Sequence, residues 1–487
     1  MKVVIGYPPL KSEKGYACLG QNRQFQWVKT PWTAYPVVPA YLATMLKRDG
    51  FEVFWLDGIW GEQTYQEWEK EFLALKPDLL FLETKTPVIK KHWQIISKLK
   101  IKNEKLKVIL FGDHVTALPL ESFRNSKVDY VLTGGSYDFL GLNLALHLRE
   151  GKNLEPGIYY KSSKEKIKNT GSFKLNHNLD SLPFIDRELT KWKLYAYKNS
   201  NYLRLPGTYA MFGRDCWWGK CTFCSWTTLY PGKNYRKMSV KRALAEVGYL
   251  IENYGIREIM DDSGTFPVGD WLREFCKGMI KKEYSKRARI SCNMRFNAGL
   301  KEKDYQLMAK AGFRFLLYGL ESASQKTLDQ IDKNLKVEQI EPALEWAKKA
   351  GLNPHLTAMI GYPWESKVEA KKTLDFARSL FRRGLADTLQ ATIVIPYPGT
   401  PLFKEADKKG WLKTKSWERY DMREPILKTK MSDAEIKELV QGLYKSIFTP
   451  RWLARKVKEA AVDPEVFQYY LRMAFKFFSK LLDFKKQ

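Results

Sequence analysis

Two series of short apolar runs that alternate with amphipathic segments constrain the fold of this 487-residue chain most strongly. In the first series, runs rich in β-branched and aromatic residues are separated by segments with helical periodicity. The runs are Val3–Tyr7, Val53–Leu56, Leu79–Leu82, Val108–Phe111 and Tyr130–Thr133, and the helical segments include Val38–Arg48, Tyr65–Leu75 and Val88–Leu99. Such alternation predicts a parallel, doubly wound sheet whose ligands lie beyond the carboxyl ends of the strands.

A second series of six strand–helix units begins near residue 209. Its strands are predicted near 209–215, 257–261, 289–293, 315–319, 355–360 and 390–395, with helices near 239–253, 269–282, 302–311, 336–349 and 366–382. Six consecutive units predict a partial (β/α)6 barrel, with its chemistry at the carboxyl ends of the strands.

The changes of pattern predict an α/β chain in four parts. These are a Rossmann-like domain over 1–150, a connecting segment over 151–205 with some strand content, the partial barrel over 206–400, and a mostly helical, basic region over 401–487.

Charge and hydropathy indicate which partners and which cellular location to expect. Lys and Arg total 82 against 54 acidic residues, a formal net charge of +28. This excess favours acidic partners such as nucleic acid, anionic lipid headgroups or phosphorylated substrates, although without a long basic block it is equally explained by a diffusely basic surface. No stretch approaches a membrane-spanning length and the amino terminus does not match a signal peptide, so we expect a cytoplasmic protein.

Three of the six cysteines fall within nine residues, directly after the first predicted barrel strand: Cys216, Cys221 and Cys224. Three thiolates in one loop suit an iron–sulfur cluster and leave the fourth iron of a four-iron cluster without a protein ligand. Zinc is the competing metal, but a structural zinc site needs four ligands and no fourth Cys or His lies nearby in sequence. Cys276 lies on an apolar helix face and is interpreted as a plain buried thiol.

Polar motifs follow the later barrel strands in order. They are Gly213-Arg214-Asp215-Cys216, Met260-Asp261-Asp262-Ser263-Gly264-Thr265-Phe266, Gly319-Leu320-Glu321-Ser322-Ala323-Ser324, Ile360-Gly361-Tyr362-Pro363-Trp364-Glu365-Ser366 and Pro396-Tyr397-Pro398-Gly399-Thr400-Pro401. With the cysteine loop, this set resembles the radical S-adenosylmethionine (radical SAM) superfamily, and more closely its cobalamin-binding branch. One departure is that four residues separate Cys216 from Cys221, where the family usually has three.

The resemblance implies a 4Fe-4S cluster on Cys216, Cys221 and Cys224. It further implies that the open iron binds S-adenosylmethionine, whose reductive cleavage yields methionine and a 5′-deoxyadenosyl radical. Phe223 matches the position that packs near adenine. The other residues expected to contact the cosubstrate are Asp261, Asp262, Asn293, Arg295, Glu321 and Ser322. The polar residues that ordinarily line the rim of a barrel are an equal explanation for them.

The resemblance also implies that the first domain places cobalamin on its strand ends. The residues expected there are Tyr7, Pro8, Asp113, His114, Val115, Thr116, Gly134 and Gly135. The cobalt-ligating Asp-x-His-x-x-Gly pattern is absent, so no side-chain ligand to cobalt is predicted, and His114 is expected to hydrogen-bond within its loop. The alternative is a degenerate domain that keeps the fold without the ligand.

The leading functional prediction is a cobalamin-dependent radical methyltransferase acting on an unactivated carbon of a small-molecule or lipid-like substrate. It would take electrons from a donor such as ferredoxin or flavodoxin. The alternatives are a radical cyclase or rearranging enzyme, an RNA-modifying enzyme and a non-enzymatic iron–sulfur protein. Nucleic acid is the less favoured partner. The members of the superfamily that methylthiolate RNA carry a second set of cysteines in the amino-terminal domain, whereas Cys18 is the lone cysteine there.

The carboxyl-terminal tail predicts an amphipathic helix that starts at Asp463-Pro464. Arg472, Lys476 and Lys480 form a basic stripe beside an apolar arc of Phe467, Leu471, Ala474, Phe475, Phe478, Leu481 and Leu482. Such a helix suits peripheral contact with an anionic membrane, and docking on the barrel or at an oligomer interface is an equal alternative.

Overall fold

The computed structural model describes residues 1–20, 25–29, 33–162, 165–199, 201–232 and 235–482, with side chains to residue 474. The strands, in chain order, are β1 Lys2–Tyr7, β2 Lys11–Ser12, β3 Gly15–Cys18, β4 Gln26–Val28, β5 Glu52–Asp57, β6 Leu79–Glu83, β7 Lys107–Phe111, β8 Tyr130–Leu132, β9 Ile158–Lys161, β10 Ile167–Asn169, β11 Gly207–Ala210, β12 Glu258–Asp261, β13 Arg289–Met294, β14 Phe313–Glu321, β15 Asn353–Ile360 and β16 Thr388–Ile393.

The α-helices follow the same numbering. They are α1 Val37–Arg48, α2 Tyr65–Leu75, α3 Ile89–Lys102, α4 Asp113–Ala117, α5 Pro119–Asn125, α6 Tyr137–Glu150, α7 Lys193–Ala196, α8 Trp226–Leu229, α9 Val240–Tyr254, α10 Asp270–Lys281, α11 Tyr284–Arg287, α12 Glu302–Lys310, α13 Gln325–Gln330, α14 Ile340–Lys349, α15 Lys367–Arg383, α16 Pro401–Lys408, α17 Asp433–Lys445, α18 Pro450–Val462 and α19 Pro464–Leu482. Among the described residues, no helix is long and apolar enough to cross a membrane.

The first sheet has the strand order β10-β9-β8-β7-β6-β1-β5. Its central strands are parallel, while β9 and β10 add an antiparallel edge. Helices cover both faces: Gly6 of β1 lies against Trp68 of α2, and Gly141 of α6 lies against Leu42 of α1 and Phe81 of β6. The predicted doubly wound sheet is confirmed.

The second sheet has six parallel strands in the order β11-β12-β13-β14-β15-β16, with helices between consecutive strands. Local sequence sets the helix ends. Ser366 and Glu369 form a capping box that starts α15, and Gly384 ends it in the left-handed conformation. The predicted partial barrel and helical carboxyl-terminal region are confirmed.

The first barrel strand is shorter than predicted. It ends at Ala210, whereas the pattern extended it to residue 215. The backbone N–H of Phe212 donates to Asp261 (2.7 Å) and that of Gly213 to Ser263 Oγ (2.8 Å). These side chains accept the hydrogen bonds that a neighbouring strand would otherwise accept, and the chain turns here into the cysteine loop.

A small antiparallel sheet was not anticipated from the sequence. It consists of β2, β3 and β4 and follows the first strand of the doubly wound sheet. It brings Cys18 and Gln26 to the barrel cavity described below.

Candidate active site

The three clustered cysteines meet at the carboxyl end of the barrel. Cys216, Cys221 and Cys224 follow β11 and line one cavity of about 280 Å³. All three are free thiols. Gly219 turns the loop between the first two with φ +62°, and a Cβ there would lie 2.6 Å from the Gly232 carbonyl oxygen. The extra residue of this loop is therefore accommodated by a tight glycine turn.

Burial favours the protonated form of Cys221 and Cys224. It raises the pKa of Cys221, and it raises the pKa of Cys224 to about 12. Coordination to iron deprotonates a thiol outright, so the donor set fits a metal-bound state. Three soft thiolates are the ligands that iron–sulfur clusters use. Among the described residues, no three His, Cys, Asp or Glu side chains form a group that could hold a single metal ion.

Most of the side chains predicted to contact the cosubstrate line the same cavity. They are Phe223, Asp262, Asn293, Arg295 and Glu321. Arg295 Nη1 lies 3.8 Å from Cys221 Sγ, and Asn293 Nδ2 donates to the Ser263 carbonyl oxygen at 2.8 Å. The structure thus gathers an aromatic ring, an amide, carboxylates and a guanidinium beside the cysteines.

Two of the predicted residues hold the site's loops and do not line the cavity. The carboxylate of Asp261 accepts the backbone N–H groups of Phe212 and Ser263. Burial raises its pKa to about 7. Ser322 Oγ lies 3.3 Å from Thr373 Oγ1 and accepts the N–H of Ser324.

Sequence reasoning missed several cavity residues. Lys333 Nζ lies 2.7 Å from Glu321 Oε1, and it comes from the segment after α13, where the sequence carries no signal for it. His355 of β15 lines the cavity. Alternate residues of β14 line it as well, a period-two signal that the sequence does contain.

The residues predicted to contact cobalamin lie at the carboxyl edge of the first sheet, and most of them are engaged within the chain. Tyr7 donates its hydroxyl to Glu83 Oε2 at 2.9 Å, and Lys85 Nζ lies 3.2 Å from Asp113 Oδ2. Pro8 and Val115 are buried, and Thr116 donates to the Gly112 carbonyl oxygen.

His114 and the two glycines are enclosed. His114 is buried, with Nδ1 3.2 Å from Thr86 Oγ1 and Nε2 2.9 Å from Glu121 Oε2, so its ring bonds to a neighbouring loop and to α5 and not to its own loop. Gly134 lies against the ring of Phe173 and Gly135 against the ring of Tyr230. The chain's own rings therefore cover the backbone of both glycines, and their contact with a cofactor stays a prediction.

Between this edge and the barrel lies a group of buried polar atoms without a hydrogen-bond partner in the described part of the chain. They are Glu83 Oε1, Tyr137 Oη, Trp226 Nε1, Thr228 Oγ1 and Tyr397 Oη. The elements meet closely here, since a Cβ on Gly399 would contact both Thr228 and Ala117. Buried polar groups are normally paired, so this set suits a ligand with several donors and acceptors.

Helix α19 begins at Pro464, as predicted, and of the two alternatives for the tail its described residues favour docking on the barrel. Arg472 donates to the Tyr202 carbonyl oxygen at 3.0 Å and therefore faces the barrel, not a membrane. Phe467, Leu471 and Ala474 line a second cavity beneath the barrel. The side chains of Phe475, Lys476, Phe478, Lys480, Leu481 and Leu482 lie outside the described residues.

The chain is similar in sequence to a known family and to several known proteins. Residues 211–377 match the family model of the radical SAM superfamily. An uncharacterized methyltransferase of Pyrococcus horikoshii is 29% identical over 436 residues, which are 88% of this chain and 91% of the relative. The anaerobic magnesium-protoporphyrin IX monomethyl ester cyclase of Rubrivivax gelatinosus is 25% identical over 424 residues, covering 85% of this chain and 73% of that protein.

Two solved structures share the fold. The radical S-adenosylmethionine methyltransferase TsrM from Kitasatospora setae, with cobalamin and a [4Fe-4S] cluster bound, has a TM-score of 0.65 at 16% identity and covers 85% of this chain and 79% of its own. The cobalamin-dependent radical enzyme OxsB, with aqua-cobalamin and S-adenosylmethionine bound, has a TM-score of 0.68 at 15% identity and covers 96% and 72%. At these identities the likeness establishes the fold.

Proposed function

We propose, from the premise that this chain belongs to the radical SAM superfamily, that it is an enzyme holding a 4Fe-4S cluster on Cys216, Cys221 and Cys224. The observation that carries the proposal is the convergence of these three free thiols in one cavity at the carboxyl ends of six parallel strands. When bound, the cluster would supply the electron that cleaves S-adenosylmethionine to methionine and a 5′-deoxyadenosyl radical.

The chain's own residues bind and orient the cosubstrate. Phe223 presents a ring to the cavity, suited to stacking on adenine. The paired Glu321 and Lys333 offer groups of both charges for the amino acid end or the ribose hydroxyls. Arg295 adds a positive charge beside Cys221, which favours the thiolate.

Single Ala substitutions of Cys216, Cys221 and Cys224 test the cluster, with Cys276→Ala as the matched control because Cys276 is buried elsewhere. We expect each of the three variants to lose reconstituted iron and sulfide and to cleave S-adenosylmethionine only at background. The control should keep both properties. A member of the triad that kept full cluster content would not be a ligand.

We further propose that cobalamin binds between the first sheet and the barrel. The unpartnered polar atoms there, such as Tyr137 Oη and Trp226 Nε1, can pair with amide groups on the edge of a corrin ring. Both ring nitrogens of His114 have partners within the chain, so His114 is not expected to ligate cobalt. Equilibrium dialysis with hydroxocobalamin tests this: wild type should bind it, and Tyr137→Phe with Trp226→Phe should bind it more weakly.

The reaction proposed is methylation of an unactivated carbon of a small molecule, in line with the methyltransferases among the relatives. A cyclase is the second candidate, favoured by the Rubrivivax relative. Methylation should release 5′-deoxyadenosine and S-adenosylhomocysteine in comparable amounts. A cyclase should release only the first, so quantifying both nucleosides in a turnover assay distinguishes the two.

Two partners complete the proposal. Ferredoxin or flavodoxin is the expected electron donor, since a chain of net charge +28 attracts small acidic redox proteins. Peripheral membrane contact is supported by the exposed apolar residues Phe467 and Leu471 of α19. Sedimentation with anionic liposomes, before and after removal of residues 464–487, tests this contact, and equal sedimentation would exclude it.

A further inference from the structure

Side chains of β14 and β15 line the barrel interior along most of the length of each strand. On β14, the alternate residues Phe315, Leu317, Gly319 and Glu321 all line the cavity that holds the cysteines. On β15 the same is true of His355, Thr357 and Met359. Because successive side chains on a strand point to opposite faces, each row faces inward from the cysteine end to the opposite end. The space beside the cysteines therefore extends towards the amino ends of the strands.

A second cavity of about 370 Å³ lies at that opposite end. Its walls are the amino ends of β14 to β16 together with α17, α18 and α19. The lining is strongly apolar and comes from the barrel (Phe315, Leu389) and from the helices (Ile447, Trp452, Phe467, Leu471). A concave apolar space of this size is typical of ligand sites.

The two cavities meet at a shared collar. Gln26, Asn201, Phe315, His355 and Gln390 line both. His355 is held there by Thr388, whose Oγ1 lies 2.8 Å from His355 Nδ1. This mostly polar collar lies between the more polar chamber next to the cysteines and the strongly apolar chamber below, and the two chambers adjoin there.

The helices that close the lower chamber are fixed to the barrel by buried charges. Asp387, just before β16, lies 2.8 Å from Lys456 Nζ, and Trp452 Nε1 donates to its carbonyl oxygen at 2.8 Å. Burial opposes the ionisation of Asp387, but Lys456, Lys348 and Arg455 outweigh it and hold its pKa at about 2. Lys456 also pairs with Glu459, so the cation that lines the chamber is already neutralised. Among its described lining residues, the lower chamber therefore offers a ligand no unpaired lysine, arginine or carboxylate.

We propose that the substrate is an amphiphile whose polar, reacting end occupies the chamber beside the cysteines and whose apolar chain passes the collar into the lower chamber. The inference rests on the proposed function and adds the chemical class of its substrate. A long unbranched or isoprenoid chain matches the lining, whereas a second charged or polar group at the far end has no partner there. The collar residues mark where the polar part of the ligand ends.

Binding of an apolar probe to the full-length, reconstituted protein tests the proposal. The probe is a medium-chain fatty acid with a dansyl group at its chain end, and its fluorescence rises and shifts to the blue in an apolar site. Wild type should bind it saturably at one site. Ala460→Trp places a ring in the lower chamber and should weaken binding by about tenfold or more.

Ala454→Trp is the matched control. Ala454 is an exposed residue of the same helix and is not part of the chamber's lining. It should bind the probe as wild type does. If Ala460→Trp does not fold, Val457→Trp makes the same test from a more exposed position in the chamber wall. Equal binding by the filled variant and its control, or no saturable binding by wild type, would overturn the proposal.

Competition with fatty acids of increasing length sharpens the result. Each buried methylene should tighten binding by about fourfold until the chain fills the chamber. In Ala460→Trp the gain should stop at a shorter chain. Affinity that does not depend on chain length would contradict a chain-binding chamber.

Cleavage of S-adenosylmethionine without substrate, measured on the same preparations, separates this inference from the proposed function. Ala454→Trp should form 5′-deoxyadenosine at the wild-type rate, because Ala454 is exposed and lines neither cavity. Cleavage without probe binding would refute the substrate class alone. Probe binding without cleavage in any preparation would refute the radical chemistry and leave the chamber in place.

Discussion

Strand β6 of the first sheet reads Leu79-Leu80-Phe81-Leu82-Glu83, and all five side chains are buried. In strand β14 of the second sheet, one set of alternate residues is equally buried, but the other set includes Leu317 and Gly319, which are only half-buried because they face the cavity. The first sheet is packed on both faces by helices, whereas the second is packed on one face and curves around a space on the other. Two sheets built from the same strand–helix alternation therefore differ in what their second face contacts.

The difference shows how one chain can combine a rigid support with a reaction chamber. In the packed sheet, function is confined to the carboxyl edge, where Glu83 and Asp113 lie. In the hollow sheet, the full inner face is available, and its polar residues such as Asn293, Thr357 and Gln390 line the cavity. The cost of a hollow interior is lost packing, which the surrounding helices and ion pairs must offset.

The largest effect is expected where the two halves are joined. Arg214, two residues before Cys216, makes a bidentate pair with Asp138 of α6, at 2.7 and 2.5 Å, and both side chains are buried. Asp138→Asn would leave a buried guanidinium uncompensated and should cost about 3–5 kcal/mol. We expect a lower Tm by circular dichroism and a lower iron content, because the cysteine loop follows directly.

Asp270→Asn provides the control for that change, since Asp270 pairs with Arg273 at the surface. Its Tm and iron content should match those of wild type. A similarly small effect of Asp138→Asn would mean that the packed and hollow halves are stable independently of each other.

The same substitution in each sheet tests the packing difference directly. Leu82 is fully buried in the packed sheet, and Leu317 is half-buried against the cavity. Leu82→Ala should cost about 3 kcal/mol, because it removes apolar contacts and creates a void. Leu317→Ala should cost only about 1 kcal/mol, because it enlarges a cavity that already exists.

Thermal unfolding of the two Leu→Ala variants measures the contrast. The Tm of Leu82→Ala should fall clearly further than that of Leu317→Ala. Equal losses would show that the inner face of the barrel is packed as tightly as the first sheet.

The sequence predicted most of the fold because its signals are local. Tyr65–Leu75 was placed without error, and the central strands of both sheets were correct within a few residues. The small sheet of β2 to β4 was missed because its strands are two to four residues long and carry little alternation. The cysteine triad was recognisable because its members are neighbours in sequence.

The lower chamber lay beyond sequence reasoning because its walls come from distant segments. Gln26, Phe315 and Trp452 meet only in the folded chain. Lys333 likewise joins Glu321 through a loop with no distinctive pattern. The alternation along β14 predicts which of its side chains share a face. It does not reveal whether that face packs against other side chains or borders a cavity.

The smallest effect is expected from a carboxyl group at the edge of the packed sheet. Glu83 accepts the Tyr7 hydroxyl through Oε2, its Oε1 has no partner in the described structure, and burial raises its pKa to about 7 from 4.5. Between pH 4.5 and about 7 the folded state keeps a proton that the unfolded state has lost, so this contribution to stability falls as pH rises through that window.

The variant Glu83→Gln is neutral at every pH and therefore lacks this pH dependence. From pH 5 to 8, the Tm of wild type should therefore decline by a few degrees relative to that of Glu83→Gln. Groups common to both proteins cancel in this difference. A constant difference would mean that Glu83 is already ionised at pH 5, so that the charge of Lys85 outweighs burial at the edge of the packed sheet, as Lys333 stabilises Glu321 in the hollow one.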